Sequence, residues 1–287
     1  MSIQETWTTL KLLSWTKEYL LSKGVSNARL EAEWLLCAAT DLDRVGLYLQ
    51  YEKPLNETEL SKYRSMVTRR ARREPLQHIL GTQEFYGLEF EVSRDVLIPR
   101  HDTESLVEEA MKRCSGANTI LDIGTGSGCI AICLKKMLKN AEVTASDISE
   151  AALAVAKRNA ARHEVEIEYV CGSLFAPVNC RKFDLIISNP PYIPTPDIET
   201  LEEEVRDFDP HSALDGGNDG LDIYRKLIPE SIEYLNPKGW LMLEIGIGQG
   251  SDVVEIFGKT DCFMKFFTAM DPGGIERVVG AQRKEIQ

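Results

Sequence analysis

Residues 119–128 read TILDIGTGSG. Apart from Asp122, the first five are apolar or β-branched, the pattern of a short buried strand. Gly124, Gly126 and Gly128 follow at alternate positions, and a helical pattern over 127–138 begins at once. A strand that turns directly into a helix through glycines is the opening of a parallel βα unit. A plain tight turn would not need three glycines; together they permit a sharp bend and let a ligand come close to the backbone. The dinucleotide fingerprint G-x-G-x-x-G is not met, because Cys129 stands where its third glycine belongs.

Toward the C-terminus, strands are expected at EVTASD (142–147), IEYVC (167–171), FDLIIS (183–188), WLMLEI (240–245), KFFTAM (265–270) and ERVVGA (276–281). Helices such as 149–162 fall between them. The alternation predicts an α/β fold, a Rossmann-like, seven-stranded and mostly parallel sheet covered on both faces. Asp147 ends the second strand about 20 residues past the glycine loop, where an acid can accept both hydroxyls of a ribose. It can equally cap the helix that opens at Ser149, and both roles can hold together. A second short match, LEIGIGQG (243–250), has too little chain after it to build the same half-sheet. It is read as a turn into a late helix.

FDLIIS counts as the fourth strand, next to the first in a doubly wound order, so its end lies at the topological switch point where ligands bind. It stops on Asn189-Pro190-Pro191-Tyr192. Two prolines cannot donate to a sheet ladder. They offer carbonyls with no competing N–H, so Asn189 Oδ1 and the Pro190 carbonyl can each accept one hydrogen of a planar –NH2 group. Tyr192 can pack on the face of that group. Such a receptor suits an amide or exocyclic nitrogen, whose weak nucleophilicity makes orientation the main task.

Residues 1–76 read as helices. Leu10, Leu13 and Leu20 mark the face of a first helix with Gly24 past its end; Leu30, Trp34 and Cys37 or Ala38 mark a second. A third starts at Asn56 with Glu59 in the capping-box position and runs toward Pro75. Its tail carries Arg69, Arg70, Arg72 and Arg73, either cations suited to a helix C-terminus or a docking patch for an acidic or RNA-bound partner. Residues 81–98 alternate around Gly87 as a β-hairpin. The expected domains are a helical unit at 1–76, a hairpin linker at 77–98, and a sheet domain at 99–287.

The 287 residues are 43% apolar, enough for two packed cores, and the net charge is −12. That acidity disfavours nucleic-acid phosphate as the source of affinity. Seven cysteines without a C-x-x-C pair and four histidines signal neither a zinc site nor a disulfide framework. No apolar run is long enough to span a bilayer, and MSIQETWTTLKLLSW lacks the basic-then-apolar order of a signal peptide. A cytoplasmic protein with no bound metal is expected.

The glycine triplet after an acid resembles motif I of class I S-adenosylmethionine-dependent methyltransferases. With it, GTQEFYGLEFEVSRDVLIPRHDTESLVE, ISNPPYI and ALDGGNDGLDIYRKLI resemble the release-factor glutamine methyltransferases, once mis-assigned as haem-biosynthesis proteins. The likeness spans nearly the whole chain. It implies methylation of N5 of the glutamine in the Gly-Gly-Gln loop of bacterial-type peptide chain release factors, with S-adenosylhomocysteine as co-product. It places cofactor contacts on Gly124, Thr125, Gly126, Ser127, Gly128, Asp147, Ser173, Leu174 and Asn189, and the substrate glutamine on Asn189, Pro190, Pro191 and Tyr192. Asn189, Pro190 and Tyr192 carry the catalytic role. The helical unit would dock the release factor, without membrane or nucleic acid. His101 replaces a proline of the family's Pro-Arg-Pro-Asp-Thr-Glu and is read as an idle surface histidine. Ser173 replaces an Asp that commonly meets the adenine amino group, and Leu174 stands where members can carry an aromatic. A hydroxyl accepts more weakly than a carboxylate, so modest cofactor affinity is expected. The alternative substrates are adenine N6 or guanine N2 of nucleic acid, which would call for a basic cleft and usually a target-recognition domain. A third reading, an inactive S-adenosylmethionine sensor, leaves the –NH2 receptor without purpose.

Overall fold

The computed structural model describes residues 7–285, so the first residues of the stretch read as lacking a signal peptide lie outside it. The chain forms two compact units. One comprises residues up to Gly81 together with Glu203–Phe208; the other comprises Thr82–Glu202 and the chain from Asp209 onward.

The first unit contains α1 (Thr9–Ser22), α2 (Ala28–Thr40), α3 (Arg44–Leu49), α4 (Glu57–Arg70) and α5 (Leu76–Leu80). Two expected faces are corrected. In α1, Leu20 is buried but Leu10 is half exposed, and the inward stripe is Thr9, Leu12, Thr16 and Leu20. In α2, Leu30 and Trp34 point outward, whereas Ala28, Ala32, Leu35, Leu36 and Ala39 pack inside. Small residues let neighbouring helices approach closely, and the Tyr63 hydroxyl of α4 reaches the Ala32 carbonyl at 3.3 Å. The expected capping box forms in both directions: Glu59 N–H donates to Asn56 Oδ1 and Asn56 N–H to Glu59 Oε2. The helix ends at Arg70, before the expected limit, and the chain turns through Arg73 with φ +67.

The arginine tail is engaged inside this unit. Arg70, 5% exposed, pairs with Glu31 and, at 3.0 Å, with Glu204. Arg73 binds Glu204 at 2.6 Å and the Gly24 carbonyl, and Arg69 pairs with Glu74 at 2.7 Å. Only Arg72 of the four is exposed. These contacts bind the inserted Glu203–Phe208 segment and leave little of a free basic patch.

The second unit opens with β1 (Thr82–Phe85) and β2 (Leu88–Glu91), an antiparallel pair joined by Tyr86-Gly87 with φ +52 and +71. Positive φ at both turn residues is the twist a two-residue hairpin requires. The ladder covers only part of the expected 81–98. Beyond Glu91 the chain is not a strand, but Val92 and Val96 are buried against Ala152 and Val155. The elements α6 (Glu104–Cys114), β3 (Thr119–Ile123), α7 (Cys129–Met137), β4 (Glu142–Asp147), α8 (Glu150–Arg162), β5 (Glu168–Cys171) and β6 (Phe183–Ser188) follow. After α9 (Glu203–Arg206), which belongs to the first unit, come α10 (Asp222–Tyr234), β7 (Leu235–Glu244), α11 (Gly250–Gly258), β8 (Phe263–Met270) and β9 (Glu276–Arg283).

The seven strands lie in the order β5-β4-β3-β6-β7-β9-β8. Pairings are parallel from β5 to β7, and β9 runs antiparallel to both neighbours. Strand alternation sends Ile120, Leu185 and Ile187 to one face, packed with residues of α6 and α7. Leu121, Ile123 and Ile186 go to the other, packed with residues of α10 and α11. The chain reverses direction across the sheet between β3 and β6, and the C-terminal ends of these neighbours carry the glycine loop and Asn189. Among the described residues no helix is long and apolar enough to cross a membrane.

Candidate active site

A cavity of about 290 Å³ opens at this reversal point, near the lower end of small-molecule sites. Gly124, Thr125, Gly126, Ser127, Asp147, Ser173, Leu174, Asn189, Pro190 and Pro191 line it. Gly128 and Tyr192 do not. Gly128 stands behind the loop, where a Cβ would lie 3.1 Å from the Ala156 methyl, so its role is close packing of the loop on α8. Beyond the adjacent residues of the chain, a Cβ on Gly124 or Gly126 would meet no atom of the described residues within 4 Å, which leaves their backbone open to a ligand.

The acids around the loop have distinct tasks. Asp147 Oδ2 accepts the Gly126 N–H at 2.9 Å and Oδ1 accepts the Ser149 N–H at 2.9 Å. Ser149 itself caps α8 through the Ala152 N–H. Asp147 therefore ties the loop to the start of α8, and a carboxylate's remaining lone pairs can still accept from a ribose. Asp122 is fully buried below the loop, takes the Thr125 hydroxyl at 2.7 Å, and its other oxygen has no hydrogen-bond partner among the described residues. Burial pushes its carboxyl up to about 7 against the pull of the Thr125 hydroxyl.

Asn189 donates Nδ2–H to the Thr103 hydroxyl at 3.2 Å, which turns its Oδ1 away from Thr103. Tyr192 follows on the same turn. Its ring packs against the buried cluster of Leu241, Leu243 and their neighbours, and its hydroxyl faces Glu244 at 3.5 Å. Burial raises the pKa of that hydroxyl, and the nearby Glu244 charge adds to the effect. The Tyr192 carbonyl accepts from Gln249 at 2.9 Å. The second glycine-rich turn does lead into α11, and it also braces the Asn-Pro-Pro-Tyr segment.

Each residue of Arg100–Glu104 has a partner. Arg100, on the cavity wall, pairs with buried Asp209 at 2.8 Å. Burial still lifts the Asp209 carboxyl to about 6. Asp102 pairs with Arg277 at 2.8 Å, and Glu104 accepts the Tyr86 N–H at 2.9 Å. His101 is largely exposed and, among the described residues, pairs with Glu104 at 3.2 Å.

Two family models match the chain: the PrmC N-terminal domain over residues 11–81 and the methyltransferase small domain over residues 101–202. The release factor glutamine methyltransferase of Geobacter sulfurreducens is 58% identical, over 97% of this chain and 98% of that one. This chain belongs to the release factor glutamine methyltransferase family. The family member of Koribacter versatilis is 40% identical over 91% of this chain and 94% of its own. A methyltransferase from Pyrococcus furiosus superposes with a TM-score of 0.54 at 22% identity, over 70% of this chain and 91% of that one. That likeness concerns the fold alone.

Within this family frame, the sequence reading missed Arg100, Thr103, Asp209, Glu244 and Gln249 as site-builders. Arg100 and Thr103 stood inside the quoted IPRHDTE segment, which was a signal. Asp209 gave none, since its partner lies 109 positions away, and Gln249, inside the quoted LEIGIGQG, gave none for its contact with Tyr192, 57 positions away.

Proposed function

We propose that the chain transfers a methyl group from S-adenosylmethionine to N5 of the glutamine in the Gly-Gly-Gln motif of peptide chain release factors. The observation that carries this reading is the convergence on one cavity of the open glycine loop, Asp147 and the Asn189-Pro190-Pro191 turn. The residues fit the cofactor: Gly124 and Gly126 expose backbone, Asp147 keeps accepting capacity, and Ser173 and Leu174 complete the wall. S-adenosylmethionine supplies an electrophilic methyl group.

The chain's own residues act by orientation. Asn189 Oδ1 and the Pro190 carbonyl accept the two amide hydrogens, which fixes the direction of the nitrogen lone pair. Pro191 keeps the turn rigid, and Tyr192 supports it from behind. No strong base is needed before transfer, because methylation acidifies the nitrogen and its proton leaves late. The helical unit serves as the docking element for a class 1 release factor in the cytoplasm. The nucleic-acid alternative is not favoured: the close relatives are named for release factors, and the net charge is −12.

Labelled methyl transfer tests the reading. The substrates are a full-length release factor, the same factor with its loop glutamine changed to alanine, duplex DNA and ribosomal RNA. Label on the intact factor alone is expected. Label on nucleic acid, with none on either factor, would overturn the substrate.

A further inference from the structure

Asn159, on α8, is fully buried and uses both ends of its side-chain amide. Its Oδ1 accepts the Glu91 N–H at 2.7 Å, and its Nδ2 donates to the Glu91 carbonyl at 3.0 Å. The second Nδ2 hydrogen goes to the Ser127 carbonyl, in the glycine loop, at 2.9 Å. One N–H and two carbonyls around the amide admit only this orientation of it. Closing the end of β2 needs no more than the two bonds to Glu91. The third bond, 32 positions back along the chain, reaches the cavity wall.

The loop needs such a hold. Gly124, Gly126 and Gly128 all have positive φ, a region that glycine enters and leaves at little steric cost. Asp147 fixes the Gly126 N–H. The peptide between Ser127 and Gly128 is held at both ends, its carbonyl by Asn159 and its N–H by the Thr125 carbonyl at 2.8 Å. The same helix also carries residues 92–99, the chain beyond β2. Val92 and Val96 are buried against Ala152 and Val155, and Asp95, Val96, Leu97 and Pro99 line the cavity. The stretch of α8 from Ala152 to Asn159 thus seats both the glycine loop and this second part of the wall.

We propose that Asn159 is a positioning residue for the methyl donor, joining the glycine loop to residues 92–99 so that both are in place before the donor enters. This rests on the reading of the glycine loop as the donor's seat. Asn159 lies outside the cavity lining and acts through the Ser127 carbonyl. A loop already held loses less freedom when it binds, so the contribution falls on donor affinity and not on the transfer step.

Two variants and one measurement on the native protein test this. Asn159→Ala removes all three bonds. Asn159→Asp keeps the shape and the acceptor for the Glu91 N–H, but sets an oxygen against the two carbonyls. Phe263→Leu, in the edge strand β8, loses buried packing away from the cavity lining and serves as the control for stability alone. Both Asn159 variants are expected to bind S-adenosylhomocysteine about 10- to 100-fold more weakly in calorimetry, with KM for S-adenosylmethionine raised alike. The rate at saturating donor and the release-factor KM should stay within about 3-fold of native, and Phe263→Leu should bind at native affinity. Amide exchange on the native protein decides even if neither variant folds. S-adenosylhomocysteine should slow the Glu91 amide together with amides of residues 124–128, beyond any change at Val279 in β9. Native affinity in both Asn159 variants would overturn the proposal. So would an equal loss in Phe263→Leu, a loss confined to the saturating rate, or a Glu91 amide left unchanged while the loop is protected. S-adenosylhomocysteine that binds the native protein yet slows no amide of residues 124–128 would overturn the reading of the loop as well.

Discussion

Gln249 donates its side-chain amide to the backbone carbonyl of Tyr192 at 2.9 Å, while its own carbonyl accepts the Gly246 N–H at 2.9 Å. The turn before α11 is thereby coupled to the turn after β6, two segments that sequence separates by more than fifty positions. Replacing Gln249 by leucine leaves the Tyr192 carbonyl unpaired in a half-buried place, a loss of about 1–3 kcal/mol. Methyl transfer by Gln249→Leu should fall roughly 10-fold, with S-adenosylhomocysteine affinity nearly unchanged. Gln249→Glu should be at least as poor, since a carboxylate offers that carbonyl no donor. Steady-state transfer and calorimetric titration would read both.

Gly220 packs against the same carbonyl, beside Gln249. It has φ +77, and a Cβ on it would lie 2.3 Å from the Tyr192 oxygen. Gly220→Ala is therefore strained in backbone and in contact, with an expected loss on the order of 3 kcal/mol of stability. Urea unfolding measures it; a variant as stable as the native protein would contradict the close approach.

Glu244 gives a pH signature. Burial lifts its carboxyl from 4.5 to about 7, with Asp102 adding to the rise and Thr103, Arg277 and Tyr192 opposing it. In that interval the folded protein holds a proton that the unfolded chain has released. Stability contributed by this group is complete below the unfolded value and is lost as pH rises through the folded one. Glu244→Gln lacks the titration. Its unfolding free energy should gain on the native protein between about pH 4.5 and 7, by on the order of 3 kcal/mol, and then level off. Parallel pH curves would contradict the buried acid.

In the helical unit, Arg70 holds Glu31 and Glu204 at low exposure. Arg70→Met leaves both acids without that partner and should cost about 3 kcal/mol. Thermal unfolding reads the loss, and faster proteolysis at Glu203–Phe208 should accompany it.

The sheet was legible because buried parallel strands such as 119–123 and 183–188 are short, mostly apolar runs with glycine or proline close behind them. Helix faces were harder. Leu30 and Trp34 are apolar yet exposed, and the inward stripe of α2 is built largely on alanine, which carries weak periodic signal. The cavity wall was legible where function demands unusual residues, at the glycines and at Asn189-Pro190-Pro191. Its supports were not, because Asp209 and Glu244 are ordinary residue types whose meaning comes from partners brought close only by the fold.

The most direct measurement of the central claim is to locate the methyl group. A class 1 release factor would be incubated with the enzyme and S-adenosylmethionine, digested, and its Gly-Gly-Gln peptide fragmented in a mass spectrometer. The account predicts one added methyl on the glutamine side chain, at the amide nitrogen, and none when Asn189 is alanine. A methyl on any other residue, or an unmodified peptide from an enzyme that consumes S-adenosylmethionine on another substrate, would contradict it.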